Sequence, residues 1–106
     1  MDTKLLVASA RSGSTWFVLT YVNAGEHDLG EFFNKDWSYW IKRRNHKHLL
    51  DIFETLEGDN LKSKIKFLET ERQQGREYFC KLFPSQIDNW EWLYNFYKDS
   101  QVYYLQ

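Results

Sequence analysis

Leu5-Leu-Val-Ala-Ser-Ala-Arg-Ser-Gly-Ser-Thr-Trp-Phe-Val-Leu-Thr-Tyr-Val22 is the stretch on which the fold turns. Leu5–Ala8 is a short apolar run bounded by small polar residues, and such a run suits a strand buried on both faces, as in a parallel sheet. Ser9–Ser14 is small and flexible. Thr15–Val22 turns apolar on nearly every side, which fits a central helix lying on the sheet, although its β-branched content also fits a strand. A strand, a bend of small residues and a helix therefore follow one another within eighteen residues.

Working outward, four further segments carry helical spacing. Trp37, Trp40, Ile41 and Arg44 stand at i, i+3, i+4 and i+7, and Leu49, Ile52, Phe53 and Leu56 repeat the pattern, with Gly58 as the expected stop. Asp59 or Asn60 caps the next helix, where Leu61, Ile65 and Leu68 share a face. Ser85 followed by Asp88 resembles a capping box opening a helix that carries Ile87, Trp90, Leu93, Tyr94 and Tyr97 on one side. Tyr78–Phe83, closed by the single proline Pro84, and Gln101–Gln106 are the two remaining strands. Strands alternating with helices predict an α/β domain with a parallel sheet and right-handed crossovers, and no repeat or internal boundary divides residues 1–106.

Composition narrows the classes. Apolar residues make up 42% of 106 residues and aromatics 19%, with five Trp, seven Tyr and eight Phe, so some rings are expected to stay exposed toward a ligand or a partner. The net charge of −1 argues against non-specific nucleic-acid binding, which draws on excess Lys and Arg. One cysteine, Cys80, permits no intramolecular disulfide and sits in an apolar strand as a small hydrophobe. No stretch approaches the ~18 apolar residues of a membrane span, and no leader is evident, so a soluble, cytoplasmic chain is expected. The basic run Lys42-Arg-Arg-Asn-His-Lys-His48 reads as a solvated helix end. His46 and His48 lack the Cys or carboxylate pattern that completes a metal site.

The chemistry lies in the bend. At a helix start several backbone N–H groups lack partners, the helix dipole adds positive charge, and small residues let an anion approach. Gly13 supplies conformational freedom, Ser12, Ser14 and Thr15 supply hydroxyls, and Arg11 supplies a fixed cation. The ATP and GTP loop pattern fails, because Ala8 stands where its first glycine should be and Ser replaces its lysine. One glycine is too few for a dinucleotide fingerprint. An ordinary Ser/Gly turn between strand and helix fits the bare letters as well.

Arg11-Ser-Gly-Ser-Thr-Trp16 resembles the 5′-phosphosulfate loop of sulfotransferases, whose donor is 3′-phosphoadenosine 5′-phosphosulfate (PAPS). The resemblance implies a three-layer, P-loop-like parallel sheet with flanking helices. It also implies that Arg11 contacts the bridging oxygen and the transferring sulfuryl group while Ser12, Gly13, Ser14, Thr15 and Trp16 form the donor cradle. Leu29-Gly-Glu-Phe-Phe-Asn34 is similar to a segment of the bacterial trehalose-sulfotransferase type, and by that likeness Glu31 is the base that takes the acceptor proton. A helix-capping or solvated Glu31 is the plainer alternative. Lys81, in Phe79-Cys-Lys-Leu-Phe-Pro84, matches a lysine found near the donor in many members. Leu82 and Phe83 stand where some members place a catalytic histidine, so the glutamate-based type is the better comparison.

By the same likeness the segment that binds the 3′-phosphate would follow Gln106, so the chain corresponds to the first half of a truncated family domain. A second copy or a second polypeptide is then expected to cover the surplus aromatics. The expected activity is sulfuryl transfer from PAPS to an acceptor hydroxyl or amine, with no metal. Two alternatives stand beside it: a non-catalytic phosphate- or nucleotide-binding module, and an atypical P-loop kinase-like enzyme.

Overall fold

A computed structural model of the chain describes residues 3–9 and 25–105. The anion-loop residues Arg11, Ser12, Gly13, Ser14, Thr15 and Trp16, and the helix expected over Thr15–Val22, lie outside the described residues. The described part is mixed α/β. Strand β1 (Thr3–Ala8) is flanked in parallel by β2 (Cys80–Leu82) and β3 (Gln101–Leu105), in the order β2-β1-β3. Leu5, Leu6 and Val7 lie opposite Cys80, Lys81 and Leu82, while Leu6, Val7 and Ala8 lie opposite Tyr103, Tyr104 and Leu105. All four residues of the Leu5–Ala8 run are buried, as a central parallel strand requires.

A further strip extends the sheet beyond β2. Asp28 bridges Phe79 in parallel, the Phe79 N–H donates to His27 O at 2.8 Å, and the Leu29 N–H donates to Phe79 O at 2.9 Å. The Lys81 N–H then donates to Gly30 O at 2.8 Å. Residues 27–30 thus run alongside β2, and β2 has both edges occupied.

Side chains alternate between two apolar clusters, as the pleat dictates. Leu5, Val7, Cys80 and Leu82 join the larger cluster, which also takes Leu29, Phe32, Phe33, Trp37, Ile41, Leu68, Leu93 and Tyr97. Leu6, Ala8 and Phe79 form the other, with Phe83, Tyr103 and Leu105 against it. Every described helix that reaches the core does so through the first cluster.

The helices are α1 (Trp37–Arg43), α2 (Lys47–Thr55), α3 (Leu61–Gln73) and α4 (Trp90–Tyr97). Helix α1 ends where Asn45 takes a left-handed φ of 51° and His46 N–H returns to Ile41 O at 3.0 Å, closing the last turn. Gly75 (φ 81°) ends α3 in the same way, with Arg76 N–H donating to Glu71 O at 2.9 Å. Asn60, rather than Asp59, caps α3 by accepting from the Ser63 N–H at 2.9 Å.

Several sequence expectations need correction. Gly58 does not stop α2, which already ends at Thr55 with an extended Leu56. The Ser85–Asp88 capping box does not form; Pro84–Gln86 is a 3₁₀ turn, Ile87 is extended, and Asn89 caps α4 by accepting from the Trp92 N–H at 3.1 Å. Strand β2 is shorter than Tyr78–Phe83. On α1, Trp37 and Ile41 are buried but Trp40 is 44% exposed, and on α4 Tyr94 is 71% exposed. Tyr104 on β3 is also exposed, so part of the aromatic surplus faces outward. No helix among the described residues is long and apolar enough to cross a membrane.

Candidate functional site

The main chains at Glu31 and Lys81, fifty residues apart in sequence, are brought close by the strip beside β2. Asp28 starts the geometry: its Oδ1 accepts from the Gly30 N–H at 2.8 Å, a local turn that Asp favours. The turn puts Gly30 at φ +63°, a left-handed conformation costly for residues with a Cβ. Gly30 O then receives the Lys81 N–H, so Glu31 leaves the sheet edge directly beside Lys81.

The segment after Glu31 is held from below. Phe32 and Phe33 are buried, and the Trp37 indole N–H donates to Leu29 O at 2.8 Å. Lys64 Nζ, itself only 2% exposed, donates to Asn34 O at 3.0 Å. Asn34 O also accepts the Trp37 N–H, and Asn34 Oδ1 accepts the Asp36 N–H. Glu31 is half-buried on this rigid turn. Its Oε1 accepts from Gln86 Nε2 at 3.1 Å and from Asn34 Nδ2 at 3.4 Å. Gln86 in turn accepts the Phe83 N–H through its Oε1, so one glutamine ties the carboxylate to the end of β2.

The Lys81 side chain is half-buried, with Nζ 5.6 Å from the centre of the Phe83 ring. It acts electrostatically on Asp28. Burial pushes the Asp28 carboxyl above its ordinary value, against the opposing pull of the Gly30 N–H, Lys81 and His46. The site therefore holds a half-buried carboxylate aimed by two amide donors, a second, desolvated carboxyl and an ammonium. Asp28 and Gln86 were not singled out in the sequence. Asp28 carried a faint signal, an Asp two residues before a glycine, while Gln86 carried none.

These groups gather at the carboxyl end of the parallel strands. Ser9, the last described residue of the first segment, donates its N–H to Leu105 O there, and residue 10 follows it. Among the described residues, strip 27–30 and β2 follow β1 on one side of it and β3 then follows on the other. The end of β1 is thus the point where the strand order reverses, which is where open α/β sheets hold their ligands. Among the described residues no group of three or more His, Cys, Asp or Glu could hold a metal ion. Cys80 is buried, and burial pushes its thiol far up, which suits packing rather than nucleophilic attack.

No protein-family model, no curated protein and no solved structure matches this chain.

Proposed function

We propose that the chain is a sulfotransferase-like protein, with a P-loop-like sheet, that binds the 5′-phosphosulfate of PAPS and passes its sulfuryl group to an acceptor hydroxyl or amine. The observation that carries this reading is the main-chain pairing of Lys81 with Gly30, which sets Glu31 at the carboxyl end of the strip beside β2, itself a neighbour of the strand that Arg11–Thr15 follow in sequence. The Leu29–Asn34 and Phe79–Pro84 segments, which resemble one family separately, are thereby joined through their main chains. The strand order, with 27–30 and β2 to one side of β1 and β3 to the other, also suits a P-loop-like sheet.

In the proposed reaction the acceptor oxygen or nitrogen attacks sulfur, its bond to sulfur forms as the sulfur–oxygen bond to the 5′-phosphate breaks, and the proton passes to Glu31. The adenosine bisphosphate PAP leaves with the bridging oxygen. Arg11 and the loop amides offset charge on the transferring group, a fixed electrostatic contribution of the kind that dominates such transfers. Gln86 and Asn34 orient the base by donating to one of its oxygens and leave the other for the acceptor.

Calorimetry with PAP, with ATP and Mg²⁺, and with sulfate tests the reading. PAP is expected to bind in preference to ATP, and Arg11→Ala is expected to weaken PAP by about tenfold or more, the loss of a charge-assisted contact. Glu31→Gln should leave PAP binding intact while removing turnover. A preference for ATP that requires Mg²⁺ overturns the donor assignment in favour of kinase-like chemistry. Absence of PAP binding overturns it in favour of a module without this donor.

A further inference from the structure

A cleft of about 400 Å³ opens immediately beside Glu31, walled by the Leu29–Asn34 turn and by the C-terminal end of α1 and the start of α2. Its floor is apolar, built by Leu29, Ile41 and Leu49. Its polar lining is asymmetric: Glu31 and Asn34 on one wall, Arg44 and His46 on the other. The left-handed Asn45 between the two basic residues turns the chain at this place, so that both border the same opening.

Among the described residues Arg44 is a cation without a counter-ion. No carboxylate among the described residues forms an ion pair with it, whereas Lys4, Lys64, Lys66, Arg72 and Arg76 each have one. Its guanidinium lies 5.8 Å from the centre of the half-exposed Trp40 ring, which also lines the cleft and favours the cation there. A guanidinium resting near an aromatic face keeps its fork of donors available for an oxyanion.

We infer that this cleft is the acceptor site, and that it takes a small hydroxyl compound bearing an anionic group (a carboxylate, phosphate or sulfate) which Arg44 and His46 receive while the hydroxyl meets Glu31. The inference rests on the reading of Glu31 as base for the direction of the hydroxyl, but the anion preference stands on the cleft alone. The Arg44 guanidinium offsets the repulsion that Glu31 would otherwise exert on such a compound, and His46 adds a hydrogen-bonding group on the same wall. They also disfavour a bulky neutral acceptor, which would leave Arg44 desolvated without a partner.

Glucuronate and glucose, which share a ring and hydroxyls and differ in charge, serve as the probe pair, with no nucleotide present. Binding is followed by NMR through the indole N–H signals of Trp37 and Trp40, both in the cleft wall. Glucuronate is expected to shift these signals and to bind about tenfold more tightly than glucose, as one charge-assisted contact implies. Arg44→Gln, an exposed and mild replacement, should abolish that margin. Glu31→Gln should preserve or enlarge it, since a repelling carboxylate is removed. Equal binding of the two probes, absence of binding by both, or a margin unchanged in Arg44→Gln overturns the inference. A margin that survives while PAP fails to bind supports the anionic cleft and removes only the sulfuryl-donor reading.

Discussion

Lys64 is the residue on which the site's floor depends. Its ammonium donates to Asn34 O, lies 4.0 Å from Asp59 Oδ1, and stands 5.7 and 5.6 Å from the centres of the Phe32 and Trp37 rings. Burial lowers its pKa, and Asp59 opposes that shift. Truncation to Ala would remove the stem packed among those rings and take from the Asn34 carbonyl one of its two donors, the Trp37 N–H remaining. Lys64→Ala should therefore cost about 2–4 kcal/mol in thermal or denaturant unfolding. Lys64→Met keeps most of the volume without the charge, and buried charges are often replaced by apolar groups at little cost, so a loss within about 1.5 kcal/mol is expected. Equal losses in the two variants would show that the ammonium, and not the stem, anchors the turn. This lysine was invisible in the sequence because periodicity counts apolar letters. Lys64 shares the buried side of α3 with Leu68, one turn away, yet its letter suggests a solvated position. Gln86 was hidden for a related reason: its partner Glu31 is 55 residues distant.

Elements were more legible than their ends. All four described helices and all three strands fall where apolar spacing predicted them, because burial on one face leaves a pattern that a single sequence retains. The boundaries moved where local chemistry competed. At α4, Ser85 offered a plausible cap, but Pro84 nucleates a short 3₁₀ turn and the buried Ile87 must stay extended to reach the core (φ −141°, ψ 140°). The helix cannot begin until Asn89. Asn89→Ala should then cost about 1 kcal/mol in urea unfolding, the usual worth of an N-cap. Ser85→Ala should stay within about 0.5 kcal/mol, as surface changes away from such features do. The reverse ranking would restore Ser85 as the cap and contradict the turn. At the candidate site, the sequence drew attention to Leu29–Asn34 through a family likeness, while the cleft beside it needed the left-handed Asn45, which spacing does not reveal.

For the whole molecule the parallel sheet was readable from strand–helix alternation, but the strip at residues 27–30 was not. It pairs through main-chain groups in a stretch made of a histidine, an aspartate, a leucine and a glycine, which carries no strand pattern. The opposite margin of the sheet has a different character. Ser9 N–H donates to Leu105 O, so Leu105, and by alternation Tyr103, turn their main-chain groups toward β1. Val102 and Tyr104 turn theirs outward, where no strand among the described residues pairs with them. The edge Gln101-Val-Tyr-Tyr-Leu105 has no charge and no proline, the devices that usually discourage pairing. Amide hydrogen exchange in dilute solution resolves its state residue by residue. Leu6 and Val7, in the central strand, should exchange slowest, and Tyr103 and Leu105 should be protected, while Val102 and Tyr104 should exchange close to an unstructured rate. Protection at Val102 and Tyr104 equal to that of Tyr103 would contradict an open edge. If that protection rose with protein concentration, the covering strand would belong to a second copy of the chain; if it did not, the cover would lie within the same molecule.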